Sequence, residues 1–187
     1  MTDDLSQTLR EIVTRLESQD IAYMLVGSIA ALVHGRARST QDFDVVIDAD
    51  AGALRRLIQS LPEERFYASE AAALEAVRHE SQFNVIDMDT GWKVDLIVKK
   101  QRRFSATEFN RRSKLDVLGE RMYVASIEDT IIAKLEWAQA GGGSQRQLED
   151  VQELLRIGGK RVDHEYVERW IAELGLQSMW DRVDGRA

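Results

Sequence analysis

The stretch VGSIAALVHGRARSTQDFDVVID, residues 26–48, decides how the chain is read. It joins an apolar segment ending at Gly27 to a second apolar segment that carries Asp42 and Asp44. Strand interiors disfavour aspartate. Two aspartates one residue apart, among Phe43, Val45 and Val46, therefore call for a compensating interaction. Alternate residues of a strand leave the same face, so both carboxylates share one side, with Cα atoms about 6.6 Å apart. That spacing suits a divalent cation, and Mg2+ binds through a few carboxylates, water and phosphate oxygens without His or Cys. The bland alternative is an edge strand with a solvated face, against which the apolar neighbours speak.

On the N-terminal side, residues 21–27 (IAYMLVG) read as a short strand and residues 28–34 (SIAALVH) as a helix. Ser28 is its expected N-cap and Gly35 its stop. A glycine at such a corner lets backbone approach a phosphate, and the first N–H groups of a helix carry partial positive charge. Ser28 adds a hydroxyl. Arg36 and Arg38, on the loop entering the second strand, are further phosphate candidates. A third carboxylate is expected on a neighbouring strand. Asp95, deep in WKVDLIV, is preferred to Asp87, which lies nearer the Asp89-Thr90-Gly91 hairpin turn, where aspartate is common. The structural alternative for Asp95 is an ion pair with Lys93. His34, His79 and His164 are scattered and make no zinc signature.

The remaining pattern alternates. Helices are expected over 4–18, over 51–61 with a stop at Pro62, and over 69–79. Hairpin strands flank Asp89-Thr90-Gly91, and two more surround a turn near Gly119. From Ser126 onward the spacing is helical, opening on the cap-like SIED and interrupted at GGGS (141–144) and at Gly158-Gly159. The expectation is an α+β fold, with a mixed sheet and flanking helices over residues 1–125 and a helical appendage over 126–187.

Composition narrows the class. The chain has 187 residues, 44% apolar and 30% charged, enough for one domain or a domain with an appendage. It has no Cys, which excludes a disulfide framework and fits a reducing cytoplasm. No apolar run is long enough to span a membrane, and the acidic N-terminus does not suit a secretory signal. A net charge of −7 argues against a dedicated nucleic-acid binder. One local exception is residues 99–114, with seven Lys/Arg against one Glu and the interleaved Phe104 and Phe109. The segment reads as a solvated connection or as an acceptor-binding loop that stacks bases, and the connection is favoured. The four tryptophans read as core or interface fillers.

The pattern of strand, Gly27-Ser28, helix, thirteen residues and Asp42-x-Asp44 resembles the nucleotidyltransferase superfamily, the polymerase-beta-like fold. HGRARSTQDFDVVI and the later SIEDTIIAKLEWA…SQRQLEDVQELL are similar to its bacterial abortive-infection AbiEii-type branch. One departure is Glu149, where that branch commonly has Arg before the aspartate. The resemblance implies transfer of a nucleoside monophosphate from an NTP to an acceptor hydroxyl on RNA, protein or a small molecule, with Mg2+ or Mn2+. Asp42, Asp44 and Asp95 would then be catalytic and metal-binding. Gly27, Ser28, Arg36, Arg38, Lys134 and Asp150 would serve the nucleotide. A toxin–antitoxin or phage-defence setting with a cognate partner protein is implied by the same likeness. The bland readings are an exposed helix lysine for Lys134 and an i, i+4 pair with Arg146 for Asp150. Two rivals remain: an antibiotic-modifying nucleotidyltransferase, and a non-catalytic nucleotide- or partner-binding module of the same fold.

Overall fold

The structure, a computed structural model, describes residues 2–36 and 42–183. Helix α1 (Thr2–Ser18) leads to strand β1 (Ala22–Leu25), helix α2 (Gly27–Val33) and strand β2 (Asp42–Asp48). Then come α3 (Ala51–Ser60), β3 (Phe66–Ala68), α4 (Glu70–His79), β4 (Gln82–Asp87) and β5 (Lys93–Val98). After α5 (Arg103–Arg111), the hairpin β6 (Ser113–Val117) and β7 (Glu120–Val124) closes the sheet. Four helices end the chain: α6 (Ile127–Ala140), α7 (Gln145–Gly158), α8 (His164–Leu174) and α9 (Gln177–Asp181), with a 3-10 turn at Gly159–Arg161 between α7 and α8.

Among the described residues the sheet has seven strands in the order β3-β4-β5-β2-β1-β7-β6. It is mixed: β2 runs parallel to β5 and β1 parallel to β7, and the other pairs are antiparallel. The α+β class is as the sequence implies. The two faces differ. Phe43, Val45 and Ile47 of β2 and Val94, Leu96 and Val98 of β5 are buried in one cluster with Leu9, Ile12 and Leu16 of α1, Leu54 of α3 and Ala73 of α4. The alternate residues, Asp42, Asp44 and Val46, are exposed or half-buried. One face is therefore sealed, and the other stays open to solvent and to the helices that follow.

A second apolar cluster joins α6, α7, α8 and α9 to Ala31 of α2 and Phe104 of α5. Its start is capped as SIED suggests: the Ser126 hydroxyl accepts from the Asp129 amide at 3.1 Å and donates to the Asp129 carboxylate at 2.7 Å. One local expectation changes. Helix α2 begins at Gly27, with Val26 as a cap that makes no side-chain bond, so Ser28 lies inside the first turn. Gly35 does end it: Gly35 and Arg36 amides return to Leu32 and Ala31 carbonyls at 2.9 and 2.8 Å, the Schellman pattern. Strand β3 and helix α9 are too short to show a period.

The largest change lies in residues 99–114. The basic stretch is neither a solvated connection nor a base-stacking loop, because α5 occupies it and buries Phe104 and Phe109. Phe104 meets Trp170 edge-on at 5.1 Å between ring centroids. Three of its arginines pair with acids: Arg102 forks onto Glu136 at 2.6 and 2.7 Å, and Arg103 meets Glu173 at the surface at 3.0 Å. Arg111 reaches Asp129 and Glu128, both at 3.1 Å. Truncating a buried Phe leaves a cavity as well as lost apolar contact. Phe104→Ala is expected to lower the unfolding free energy by about 3–5 kcal/mol, read from the urea unfolding midpoint.

Candidate active site

The register of β2 against β5 builds the site. Asp42 lies opposite Lys93, and Asp44 opposite Asp95, so all four side chains rise from the open face. Asp87 does not join them. Ile86 lies opposite Lys93, which puts Asp87 on the other face. There it is fully buried, taking hydrogen bonds from Thr8 at 2.5 Å and Arg65 at 2.9 Å. Asp87 thus ties α1 to the sheet.

The Gly27-Ser28 corner sits against the carboxylates. Val26 donates its amide to the Asp44 carbonyl at 3.0 Å, which sets α2 at the level of Asp44. Gly27 has φ of 61° and packs directly on the Asp44 side chain: a Cβ there would lie 2.1 Å from Oδ2. Only glycine meets both demands, the left-handed backbone and the missing side chain.

Asp44 feels the crowding. Burial raises its pKa above the ordinary carboxylate value, Asp95 and Asp42 raise it further, and Lys134 and Lys93 pull it back. Lys93 stands between two of the acids, its Nζ 3.2 Å from Asp95 Oδ2 and 3.5 Å from Asp42 Oδ1. Burial works against its charge, but the two carboxylates outweigh that and raise its pKa. Lys134 is not an exposed helix lysine. It is 4% exposed and donates to Asp150 at 2.7 Å and to Gln147 at 3.2 Å. Asp150, buried on α7, also accepts from Arg36 at 3.2 Å. It therefore holds two cations, Lys134 of α6 and Arg36 just past the end of α2. Arg38 lies outside the described residues. The sequence alone flagged Lys93 only as a partner of Asp95. Its contact with Asp42 follows from the parallel register, which pairs those two strands residue by residue.

Among the described residues, no three His, Cys, Asp or Glu side chains are gathered tightly enough to hold a metal unaided. The donor set nonetheless fits Mg2+ or Mn2+. It is all oxygen, and Mg2+ completes its shell with water and substrate phosphates. Asp95 supplies the specific mark: its Oδ2 is held by Lys93, while its Oδ1 is buried with no hydrogen-bond partner. A buried carboxylate oxygen left without a donor is costly and calls for a cation or a proton.

This sheet, with its helical layer, is the fold of the nucleotidyltransferases. The solution structure of the antibiotic-resistance factor ANT(2″)-Ia superposes with a TM-score of 0.62 over 100% of this chain and 98% of its own, at 13% identity. The lincosamide antibiotic adenylyltransferase LnuA, lincomycin-bound, gives 0.55 over 81% and 96%, at 14% identity. An antigenic nucleotidyltransferase-like protein from Paracoccidioides brasiliensis gives 0.56 over 83% and 75%, at 20% identity. These likenesses concern the fold. No curated protein matches the chain by sequence. The chain itself belongs to the family described as nucleotidyltransferase of unknown function (DUF6036), whose model matches residues 3–181. It is a nucleotidyltransferase, and an enzyme, by that membership.

The raised pKa of Asp44 has a consequence for stability. A carboxyl whose folded pKa exceeds its unfolded one loses stability as pH rises above the ordinary value, here 3.8. Asp44→Asn removes that loss. Its Tm at neutral pH is expected to exceed that of wild type in a thermal melt. The gap should close as the pH of the melt is lowered toward 3.8.

Proposed function

We propose that the chain transfers a nucleoside monophosphate from an NTP to an acceptor hydroxyl, with Mg2+ or Mn2+ held by Asp42, Asp44 and Asp95. The observation that carries this reading is the side-by-side placement of Asp44 and Asp95, with Asp95 Oδ1 buried and unpartnered. When bound, the divalent ion supplies positive charge against the triphosphate and its departing pyrophosphate. The chain's own residues do the rest. The Gly27-Ser28 turn grips the terminal phosphates through its amides and the Ser28 hydroxyl. Lys134, seated by Asp150, adds positive charge beside Asp44, and Arg36 extends that side. The acceptor oxygen forms a bond to the α-phosphorus while the bond from that phosphorus to the bridging oxygen breaks. The pyrophosphate leaves with the electron pair, and the hydroxyl proton passes to a carboxylate of the centre.

The abortive-infection resemblance supports a toxin–antitoxin or phage-defence setting with a cognate protein partner. The fold likeness to ANT(2″)-Ia and LnuA supports a small-molecule acceptor instead. One observation favours the second reading. The basic segment that spoke for a polyanionic acceptor pairs Arg102, Arg103 and Arg111 with acids of later helices. Among the described residues, no helix is long and apolar enough to cross a membrane.

The reaction is tested with each α-labelled NTP, Mg2+ and a cell extract. Wild type is expected to move label to an acceptor, and the double variant Asp42→Ala/Asp44→Ala to lose at least about 1000-fold of that rate. Equal transfer by both proteins refutes the assignment. Lys93 offers a separate check on the metal. It competes for two of the proposed ligands, so Lys93→Met is expected to tighten Mn2+ binding to the nucleotide-free protein by about tenfold, a 1.4 kcal/mol change. Electron paramagnetic resonance of free Mn2+ reads it, and unchanged or weaker binding contradicts it.

A further inference from the structure

A cavity of about 290 Å3 opens on the same sheet face as the carboxylates. Its floor is Val46 and Ile97, each two residues beyond an aspartate of the centre and so about 6.6 Å further along its strand. Val26, just before the Gly27-Ser28 turn, closes one side. Helix α6 forms the roof with Ala133, Trp137 and Ala140, three positions on one helical stripe. The two alanines leave the room, and Trp137 overhangs the mouth with 61% of its surface exposed. An aromatic this exposed, beside an apolar recess, is a common mark of a ligand site.

Most of the charged groups of the cavity are paired or neutral. Arg102 and Glu136 form a two-pronged ion pair, and Lys99 is bonded to Asp48. Glu108 is 9% exposed, and burial, reinforced by Asp129, raises its pKa to about 8, so it is largely uncharged at neutral pH. Lys100 is exposed at the rim. The interior offers an apolar floor, an aromatic lip and hydrogen-bonding groups with little net charge.

Position says which reactant enters. On the reading given under Proposed function, the leaving pyrophosphate lies at Gly27-Ser28, on the β1 side of Asp44. In-line displacement brings the attacking oxygen from the opposite side. Most of the cavity wall comes from that side, from the end of β5 and from α5, past Asp95. We infer that this cavity is the acceptor subsite, and that the acceptor is a small, uncharged organic alcohol whose ring or alkyl body rests between Ile97 and Trp137. The inference rests on nucleotidyl transfer at Asp42, Asp44 and Asp95, and narrows its acceptor class.

The test divides a cell extract by ultrafiltration into a low-molecular-mass filtrate and a macromolecular fraction containing RNA and protein. Each is incubated with wild type, Mg2+ and α-labelled NTP. The expected result is a labelled product in the filtrate arm that is resistant to RNase and protease. Trp137→Ala and Ala140→Leu, both at exposed positions, are expected to slow that transfer at least tenfold. They should leave the affinity for an α,β-methylene NTP analogue within twofold of wild type, which also reports that they fold. Label confined to RNA or protein overturns the inference and leaves the transfer reaction standing. Variants that weaken the analogue as much as the transfer overturn it too, and make the cavity a nucleobase site. Unchanged transfer in both variants also overturns it. No transfer in either arm with any NTP, or equal transfer by Asp42→Ala/Asp44→Ala, removes the reaction itself and the acceptor subsite with it.

Discussion

Three carboxylates held on one open face of a parallel strand pair are the constraint around which the molecule is organised. Like charges this close repel, and Asp44 and Asp95 have little water around them. The arrangement persists because the opposite face of the same strands is committed to the core. Phe43, Val45, Ile47, Val94 and Leu96 are all buried on that side. A slip of one residue would turn those side chains outward and press Asp44 and Asp95 into the apolar cluster. The core therefore fixes the site, and the site's electrostatic cost is carried by the core.

The helical layer completes the compensation. Lys134 reaches toward Asp44 from α6, and it is oriented by Asp150 of α7, which also holds Arg36 from the end of α2. A buried lysine is stable only when paired. Asp150 thus supports two cations that belong to different elements and links α2, α6 and α7 beside the centre. Lys93 from the sheet and Lys134 from the helical layer together offset the negative charge of the carboxylates. Asp129 has a comparable role farther from the centre, receiving Arg111 from α5 and the Tyr166 hydroxyl from α8.

Much of this was legible in the residues. The two-residue spacing of Asp42 and Asp44 implied a shared face whatever the fold, because strand alternation is local. The choice of Asp95 over Asp87 also needed only local reasoning, about depth within a strand and distance from a turn. What the sequence hid is non-local. The contact of Lys93 with Asp42 depends on which strands are neighbours and in which register. For Lys134 the sequence left open a nucleotide contact or an exposed helix lysine, and its burial was hidden because its partner Asp150 lies sixteen residues away on the next helix. Ser28 was expected as a cap on residue preference alone. The close approach of Gly27 to Asp44 instead starts the helix one residue earlier. Helix α5 was missed because its charges masked a period carried by only Phe104 and Phe109.

That last case shows why a charge count misleads. Seven cations in sixteen residues suggest a track for a polyanion when read along the chain. In three dimensions most of the arginines face acids contributed by helices that come later in sequence, so the segment is a clasp between layers. Phosphate recognition depends on cations whose partners leave them free to reach a ligand. A polyanionic acceptor at this centre would bring further negative charge beside Asp42, Asp44 and Asp95, next to a wall where Arg102 and Lys99 are already engaged. An uncharged acceptor avoids that repulsion and gains from the apolar floor. On the acceptor reading inferred above, the same ion pairs that hold α5 to α6 and α8 also weigh against the polyanion that the basic run first suggested.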